Sequence, residues 1–362
     1  SGPLGEGAGV LRRLAQGDAC TAREISHAAR ELGLAHVAVI RKVMAEGGGQ
    51  EVREVDTGGT PVPRDRVAFV CVHGQTVFHA PPLSWQVMNA AVIAREIGVP
   101  VVHDLRAMDL GGVGAAGGQG APITPIADRV LFRGQAGEVV CVVNLGGFAN
   151  ATVWCEGEDV ERTRGFDICA CNQVLDAVAR ERLGTAYDAD GASAARGRVD
   201  EDACDRIGAL LERQWREGRS LGTGDEAKGF VLHEAGRLDA VDACATVASA
   251  IGRVVAMAVD EAAGSGAGAR RIMLAGGGAR NAALREAIAA HACVRDARTV
   301  VATTAEKGVP IEMREAVCFA VLGALCRDGV AITLPSVTHG AAGVISGSWT
   351  GLGYEGGRFG AE

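Results

Sequence analysis

Aromatic side chains are scarce in this sequence: Phe, Tyr and Trp together make up 4% of the 362 residues. Long apolar runs are missing too. Hydrophobic residues reach 48%, yet no uninterrupted stretch approaches the roughly 18 that a membrane span needs. The longest runs, such as Val67–Val72 and Val139–Val143, have the length of strands. No charged-then-apolar leader opens the chain, so the expectation is a cytoplasmic protein with no membrane contact. Basic runs are absent and the formal net charge is −8, which argues against a nucleic-acid or anionic-membrane partner. Phosphate ligands survive that exclusion, because backbone amides at helix starts and glycine turns hold them without Lys or Arg.

A C-x-x-C pair is also missing. The eleven cysteines are odd in number and scattered, and Cys71, Cys141, Cys244, Cys318 and Cys326 sit in apolar contexts. Reduced core thiols are the expected reading. Cys169 and Cys171 alone lie close together; they belong to that core or begin a metal site, and no nearby His or second Cys pair completes a tetrahedral set. The metal ligands stay unassigned.

Glycine is plentiful, 52 residues in short punctuating runs, which suits an α/β fold with tight turns near a ligand. Apolar spacing predicts a helix over Thr21–Glu46, with Thr21 and Glu24 as its cap and Gly47–Gly49 as its stop. Val67–Val72, a helix over Trp85–Ile97 and Val99–Val102 read as strand, helix and strand of a parallel unit. Glu138–Val143 and Ala151–Trp154 read as a hairpin. Helices are expected over Gln173–Leu183, Asp202–Arg216 and Val241–Ala262, and after the Gly264–Gly268 loop a strand over Arg271–Ala275. A helix from Asn281, a strand over Thr299–Thr303 and a helix over Arg314–Cys326 follow. The length admits two domains. The expected division is an N-terminal lobe over 1–137 and a nucleotide-binding lobe over 138–362.

Three glycine features carry chemistry. Asn144-Leu145-Gly146-Gly147-Phe148-Ala149-Asn150 is a plain turn or a phosphate contact. Gly276-Gly277-Gly278, between a strand and a helix opening near Asn281, favours a nucleotide through close backbone approach and the helix dipole. It matches neither G-x-G-x-x-G nor the Lys-Ser/Thr ending of a P-loop. Gly117-Gly118-Gln119-Gly120-Ala121-Pro122 is either a sugar-binding loop that offers the Gln119 amide or a tight corner.

Together these motifs resemble the anhydro-N-acetylmuramic acid kinase family. His73-Gly74-Gln75-Thr76, Ser84-Trp85-Gln86, Gly117–Pro122, Asn144–Asn150, Gly165-Phe166-Asp167, Tyr187–Gly191 and Gly276–Asn281 occur in the family's order. Asp242–Thr246, Glu315-Ala316 and Leu334–Thr338 also match, so the resemblance runs from about residue 11 to 348. It implies a two-lobed actin-like (ribonuclease H-like) sugar-kinase fold with a central cleft, ATP and Mg²⁺ as cofactors, an amino-sugar substrate and a homodimer. The implied reaction opens a 1,6-anhydro ring with water and phosphorylates the 6-oxygen. Asp167 matches the family's general base, a role a carboxylate suits because it orients and deprotonates water. Taken on its own, Asp167 reads as a helix N-cap before Ile168–Leu175. The resemblance assigns Gln75, Gln86, Asp104, Arg106, Gln119 and Glu315 to the sugar, although Glu315 alone reads as a solvated helix face. It assigns Asn144, Gly146, Gly147, Asn150, Gly276, Gly277, Gly278 and Asn281 to ATP and its phosphates.

The sequence also departs from the family. Its first phosphate loop, G-T-S-x-D-G, is not found, and the matching place lies upstream of Ser1. Thr-Gly-Pro-Gly-Asn after the aspartate is Ile168-Cys169-Ala170-Cys171-Asn172 here, and Gly-Asp after Ser-Trp-Gln is Met88-Asn89. The spacing from Asp109 to the Gly117 run is longer through Gly111–Gly114, and Lys-Ser-Thr-Gly-Arg-Glu survives as Gly222-Thr223-Gly224-Asp225-Glu226. The rival expectations are a catalytically silent homologue that binds a ligand or partner, and a kinase for a different sugar.

Overall fold

Val139–Leu145 is buried along its whole length except at half-buried Asn144, the pattern of a central strand covered on both faces. The computed structural model describes residues 7–46, 63–114, 117–222, 224–264, 269–341 and 345–351. The Gly47–Gly49 helix stop, most of the Gly264–Gly268 loop and Thr223 lie outside the described residues. In chain order the elements are α1 (Gly7–Ala15), α2 (Ala22–Glu46), β1 (Val70–Cys71), β2 (Gln75–Ala80), β3 (Leu83–Val87), α3 (Ala90–Ile97), β4 (Val101–His103), α4 (Ala107–Leu110) and α5 (Pro125–Leu131). Then come β5 (Val139–Leu145), β6 (Phe148–Cys155), β7 (Arg164–Ala170), α6 (Asn172–Val178), α7 (Glu201–Arg216), α8 (Lys228–Ala235) and α9 (Ala240–Ala263). The chain continues through β8 (Arg270–Ala275), α10 (Ala282–Arg295), β9 (Thr299–Thr303), α11 (Arg314–Arg327), α12 (Pro335–Thr338) and β10 (Ser348–Thr350).

The chain forms two compact units, Ser1–Ala127 with Ala316–Glu362, and Asp128–Glu315. This corrects the division at 137/138. The tail does not stay with the second unit, because β10 pairs antiparallel with β4, Trp349 opposite Val102. Trp349 also meets Phe69 edge-on, ring centroids 5.6 Å apart.

In the first unit β1 pairs parallel with β4, as the sequence suggests, although the Val67–Val72 strand shortens to two residues. Thr21 and Glu24 form the expected reciprocal cap of α2: the Thr21 amide donates to Glu24 (2.7 Å) and the Glu24 amide to Thr21 Oγ1 (3.3 Å). The helix expected over Trp85–Ile97 is two elements. Leu83–Val87 is a strand paired with β2, and α3 begins only at Ala90, where Asn89 Oδ1 accepts from the Val92 amide. Burial decides it: Val77 and Val87, on one face of the hairpin, pack into Leu11, Ala28 and Leu32 of α1 and α2.

The second unit is one five-stranded sheet in the order β7-β6-β5-β8-β9. β5, β6 and β7 form an antiparallel meander, and β8 and β9 add parallel to the far side of β5. Numbered within the unit the order is 3-2-1-4-5, the ribonuclease H-like arrangement. The Asp167 N-cap reading is corrected here, since Arg164–Ala170 is a strand hydrogen-bonded to β6. The helix expected over Gln173–Leu183 is α-helical to Val178 and continues as a π turn over Ala179–Leu183. Among the described residues α9 is the one helix long and apolar enough to cross a membrane, and it is mostly buried. It packs on β6, β7, α7 and α10 as the centre of the core.

Where the chain enters and leaves this unit, Asp128 of α5 and Arg314 of α11 form a buried pair. Arg314 Nε donates to Asp128 Oδ1 (2.9 Å), Nη2 donates to Oδ2, and Thr152 Oγ1 donates to Oδ2 (2.7 Å). Both charges are essentially inaccessible, so removing one strands the other. Asp128→Ala or Arg314→Met is expected to lower stability by about 3–5 kcal/mol. The exposed Arg41–Glu96 pair should contribute about 1 kcal/mol or less. Urea-unfolding midpoints separate the two cases, and equal shifts would contradict the assignment.

Candidate active site

Ligands on open α/β sheets gather at the carboxyl ends of the parallel strands. In the second unit β5 ends in Asn144-Leu145 and β8 ends in Ala275 before Gly276. The registers place Ala275 opposite Asn144, Asn144 opposite Asn150, and Asn150 opposite Asp167. Cross-strand partners share a face, so the aspartate and the two amides form one polar row with a spacing of about 4.8 Å per strand.

Asp167 is half-buried on β7, and its Oδ2 accepts the Leu221 amide at 2.8 Å. Burial pushes its carboxyl above the usual aspartate range, while the Leu221 hydrogen bond pulls the other way. A carboxylate harder to keep ionised than an exposed one is a better proton acceptor once it is ionised.

Gly276 has φ +82°, and a Cβ there would come within 2.7 Å of both Asn144 Oδ1 and the Leu145 carbonyl. Its own amide donates to the Ile311 carbonyl (2.9 Å). A Cβ on Gly278 would meet Asn172 Oδ1 at 2.5 Å, whereas at Gly277 the nearest atom is 3.8 Å away. Beside this turn lies a cavity of about 330 Å³ whose walls include Gly277, Gly278, Asn281, Asn172, Asp176 and Tyr187. Asn281 does double duty there: its Oδ1 accepts from the Leu284 amide (3.0 Å) and caps α10. Asp188, from the Tyr187–Gly191 motif, accepts from the Ser193 and Ala194 amides at 2.9 Å each and so shapes a cavity wall.

The Gly146-Gly147 turn leans on the rewritten segment after Asp167. The carbonyls of Gly146 and Gly147 accept from the amides of Asn172 (3.0 Å) and Cys171 (2.9 Å), and Asn172 Nδ2 donates to the Leu145 carbonyl (3.0 Å). Ile168, Cys169 and Ala170 close β7, so their Cβ atoms enter the core instead of a turn. Cys169 and Cys171 are fully buried; burial pushes the Cys171 thiol up to about 12 and the Cys169 thiol well above its ordinary value. They are core thiols. Among the described residues no three His, Cys, Asp or Glu side chains are grouped to hold a metal ion.

The first unit carries the residues the resemblance assigns to the sugar, except Glu315. A cavity of about 490 Å³ is lined by His73, Ser84, Gln86, Asn89, His103 and Asp104, among others. Gln86 Nε2 donates to Ser84 Oγ (2.7 Å), and Asp104 holds a left-handed φ of 56°. Non-glycine residues in that conformation cluster at functional sites. Gln75 is exposed opposite Val87, on the other face of the hairpin from Gln86. Arg106 donates from Nε to His73 Nε2 (3.0 Å) and from Nη1 to the Gly120 carbonyl (2.6 Å), tying the cavity wall to the Gly117 loop. Burial, helped by Arg106, pushes His73 down to about 4, so it stays neutral and accepts that bond. Half-buried Gln119 donates its backbone amide to the Thr338 carbonyl (2.7 Å). Glu315 is exposed in the first turn of α11, at the end of the second unit.

Sequence reasoning missed several groups. Buried Asp109 accepts from Thr338 Oγ1 (2.8 Å) and the Gly120 amide (2.7 Å) and clamps the Gly117 loop. A Cβ on Gly118 would lie 2.1 Å from its carboxylate, which explains that glycine. The Asp109 spacing was a usable signal. The Leu221 amide left none, since a backbone donor 54 residues downstream has no residue type to read. Of the departures from the family, Asn89 acts as the cap of α3, and half-buried Met88 packs against the first-unit core.

The family profile described as anhydro-N-acetylmuramic acid kinase matches residues 25–351. A protein of that description from Rhizorhabdus wittichii is 35% identical over 87% of this chain and 78% of its own length. One from Bordetella pertussis is 36% identical over 78% of this chain and 72% of its own. Among solved structures, the activator of the 2-hydroxyisocaproyl-CoA dehydratase from Clostridium difficile covers 55% of this chain and 63% of its own, at 14% identity and a TM-score of 0.32. That likeness adds nothing to the sheet order. On the profile match and these two relatives, the chain belongs to the anhydro-N-acetylmuramic acid kinase family.

Proposed function

We propose that the protein is an ATP-dependent kinase that hydrolytically opens 1,6-anhydro-N-acetylmuramic acid and phosphorylates its 6-oxygen, as in the recycling of cell-wall sugars. The observation that carries this is the polar row that sets Asp167 and two asparagines on the strand ends beside the Gly276 turn. Relatives at about 35% identity over most of the chain favour the kinase over a silent homologue.

Asp167 takes a proton from a water, whose oxygen bonds to the anomeric carbon as the bond from that carbon to the 6-oxygen breaks. The freed 6-oxygen takes the terminal phosphoryl group of ATP, and ADP leaves. Asn144, Gly146, Gly147, Asn150 and Gly276 border the phosphates, where positioning and hydrogen bonding supply most of the rate in phosphoryl transfer. Gly277, Gly278 and Asn281 hold the nucleoside side, on the wall of the cavity beside the turn. Mg²⁺ bound with ATP would supply charge neutralisation at the phosphates. Gln86, Asp104, Arg106 and Gln119 serve the sugar, with Gln75 and Glu315 as outer contacts. The protein works as a homodimer, which light scattering would register as twice the chain mass.

Asp167→Asn is expected to reduce turnover of the anhydro sugar with ATP and Mg²⁺ by about 10²–10⁴-fold while ADP still raises the melting temperature. Full turnover in this variant would remove Asp167 from the base role. The base must be ionised, so kcat/KM falls as pH drops through the raised pKa of Asp167. The acidic limb therefore lies above that of an ordinary aspartate; a limb at or below the ordinary range would contradict the assignment. Gly276→Ala forces a Cβ into the Asn144 and Leu145 oxygens at positive φ. It should weaken binding of a non-hydrolysable ATP analogue roughly five- to hundredfold, measured by calorimetry.

A further inference from the structure

Facing Asp167 is a loop with its own fastening. Arg219 donates to both carboxylate oxygens of Asp225, Nη1 to Oδ2 at 2.9 Å and Nη2 to Oδ1 at 2.6 Å. Asp225 Oδ2 also accepts the Gly222 amide (2.9 Å), so the loop closes on itself around one carboxylate. Half-buried Gln214 of α7 then joins the loop to the strand that carries Asp167. Its Nε2 donates to the Asp225 carbonyl (2.5 Å), and its Oε1 accepts the amide of Ala170, three residues beyond Asp167 on β7. Between these anchors the Leu221 amide points at Asp167 Oδ2.

The fastening lies within seven residues of chain, Arg219 to Asp225. An exposed ion pair alone would hold a loop weakly. Here the acceptor is mostly shielded and is also bonded to a backbone amide, and Gln214 adds two bonds to fixed backbone groups.

We propose that Gln214 and the Arg219–Asp225 pair are positioning residues for the base: they hold the Leu221 amide on Asp167 Oδ2, which leaves Oδ1 to take the proton from water. This rests on the reading of Asp167 as the base. Asn150 faces Asp167 from β6 and is neutral, and in the loop Arg219 is paired with both Asp225 and Glu217. Burial and the Leu221 amide are the two influences on the carboxyl. Freeing the loop removes the one that favours ionisation, so the pKa of Asp167 must rise. It also frees the carboxylate to turn away from the water, and that lost positioning lowers kcat with little change in sugar binding.

The test compares the wild-type chain with Gln214→Met and Asp225→Ala, with Lys228→Gln, exposed at the start of α8, as a control near the loop. Turnover with ATP, Mg²⁺ and the anhydro sugar is followed across pH, and the Asp carboxyl carbons are titrated by NMR, with Asp167 assigned by its loss in Asp167→Asn. In both loop variants the acidic limb and the Asp167 titration should rise by about one pH unit, with kcat down roughly tenfold and KM for the sugar within about twofold. The Asp225→Ala result is especially discriminating, because removing a nearby negative charge would by itself lower that pKa. Lys228→Gln should leave both readouts in place. An unchanged Asp167 titration in Gln214→Met and Asp225→Ala overturns the positioning role, whatever happens to activity. Retained turnover in Asp167→Asn overturns the base assignment instead, and the carboxyl titration still judges the loop. A bound ADP analogue, taken up with wild-type affinity, shows that each variant is folded.

Discussion

The parallel pairing of β5 with β8 is the constraint on which the candidate active site depends. It sets Asn144 against Ala275, residues far apart in the chain, and so delivers the Gly276 turn to the end of the strand that begins the hairpin. Shifted by one residue, the ladder would turn Asn144 into the core and aim the glycines elsewhere. The register is held because the Val139–Val143 run is buried on both faces and β8 is buried almost throughout. Apolar burial thus fixes the geometry of a polar site.

From that pairing the remaining parts follow in order. The hairpin sets Asn150 beside Asn144, and β7 sets Asp167 beside Asn150. The segment after Asp167 has lost the family's glycines, yet its backbone amides still meet the carbonyls of Gly146 and Gly147. Side-chain identity there matters less than whether the chain can enter the strand, and buried Ile168, Cys169 and Ala170 do so readily. The first unit uses a different device. Buried Asp109 and neutral His73 fix a loop and an arginine through charge-assisted bonds, so its polar groups are organised from beneath.

Several departures from the family's sequence prove to be local substitutions with a physical equivalent. Asn89 caps α3 through its side-chain oxygen, the same bond an aspartate makes at that position. Asp225 closes its loop on Arg219, where a basic residue at 225 would have needed a different partner.

Much was legible in the sequence. Periodicity and glycine punctuation located β5, β6, β8, β9, α7, α9, α10 and α11 to within a residue or two at most ends, and the ordered motifs implied the family and the base. The sequence holds no clear signal for α1, β2, α5 and α8, and β3 and β7 read from it as helix starts. Ser84-Trp85-Gln86-Val87 and Ile168-Cys169-Ala170 are too short for periodicity to separate helix from strand, and only their partners, β2 and β6, decide. The return of residues 316–362 to the first unit was likewise invisible, since β10 is three residues whose role exists only through β4. What the sequence by itself determined was the set of chemical groups and the strands able to carry them, because burial patterns are written in residue type. What only the tertiary structure decided was which backbone groups meet them: the Leu221 amide on Asp167, the Ile311 carbonyl on Gly276, the Gly120 amide on Asp109. Every residue but proline carries the same amide and carbonyl, so no residue name records where they point.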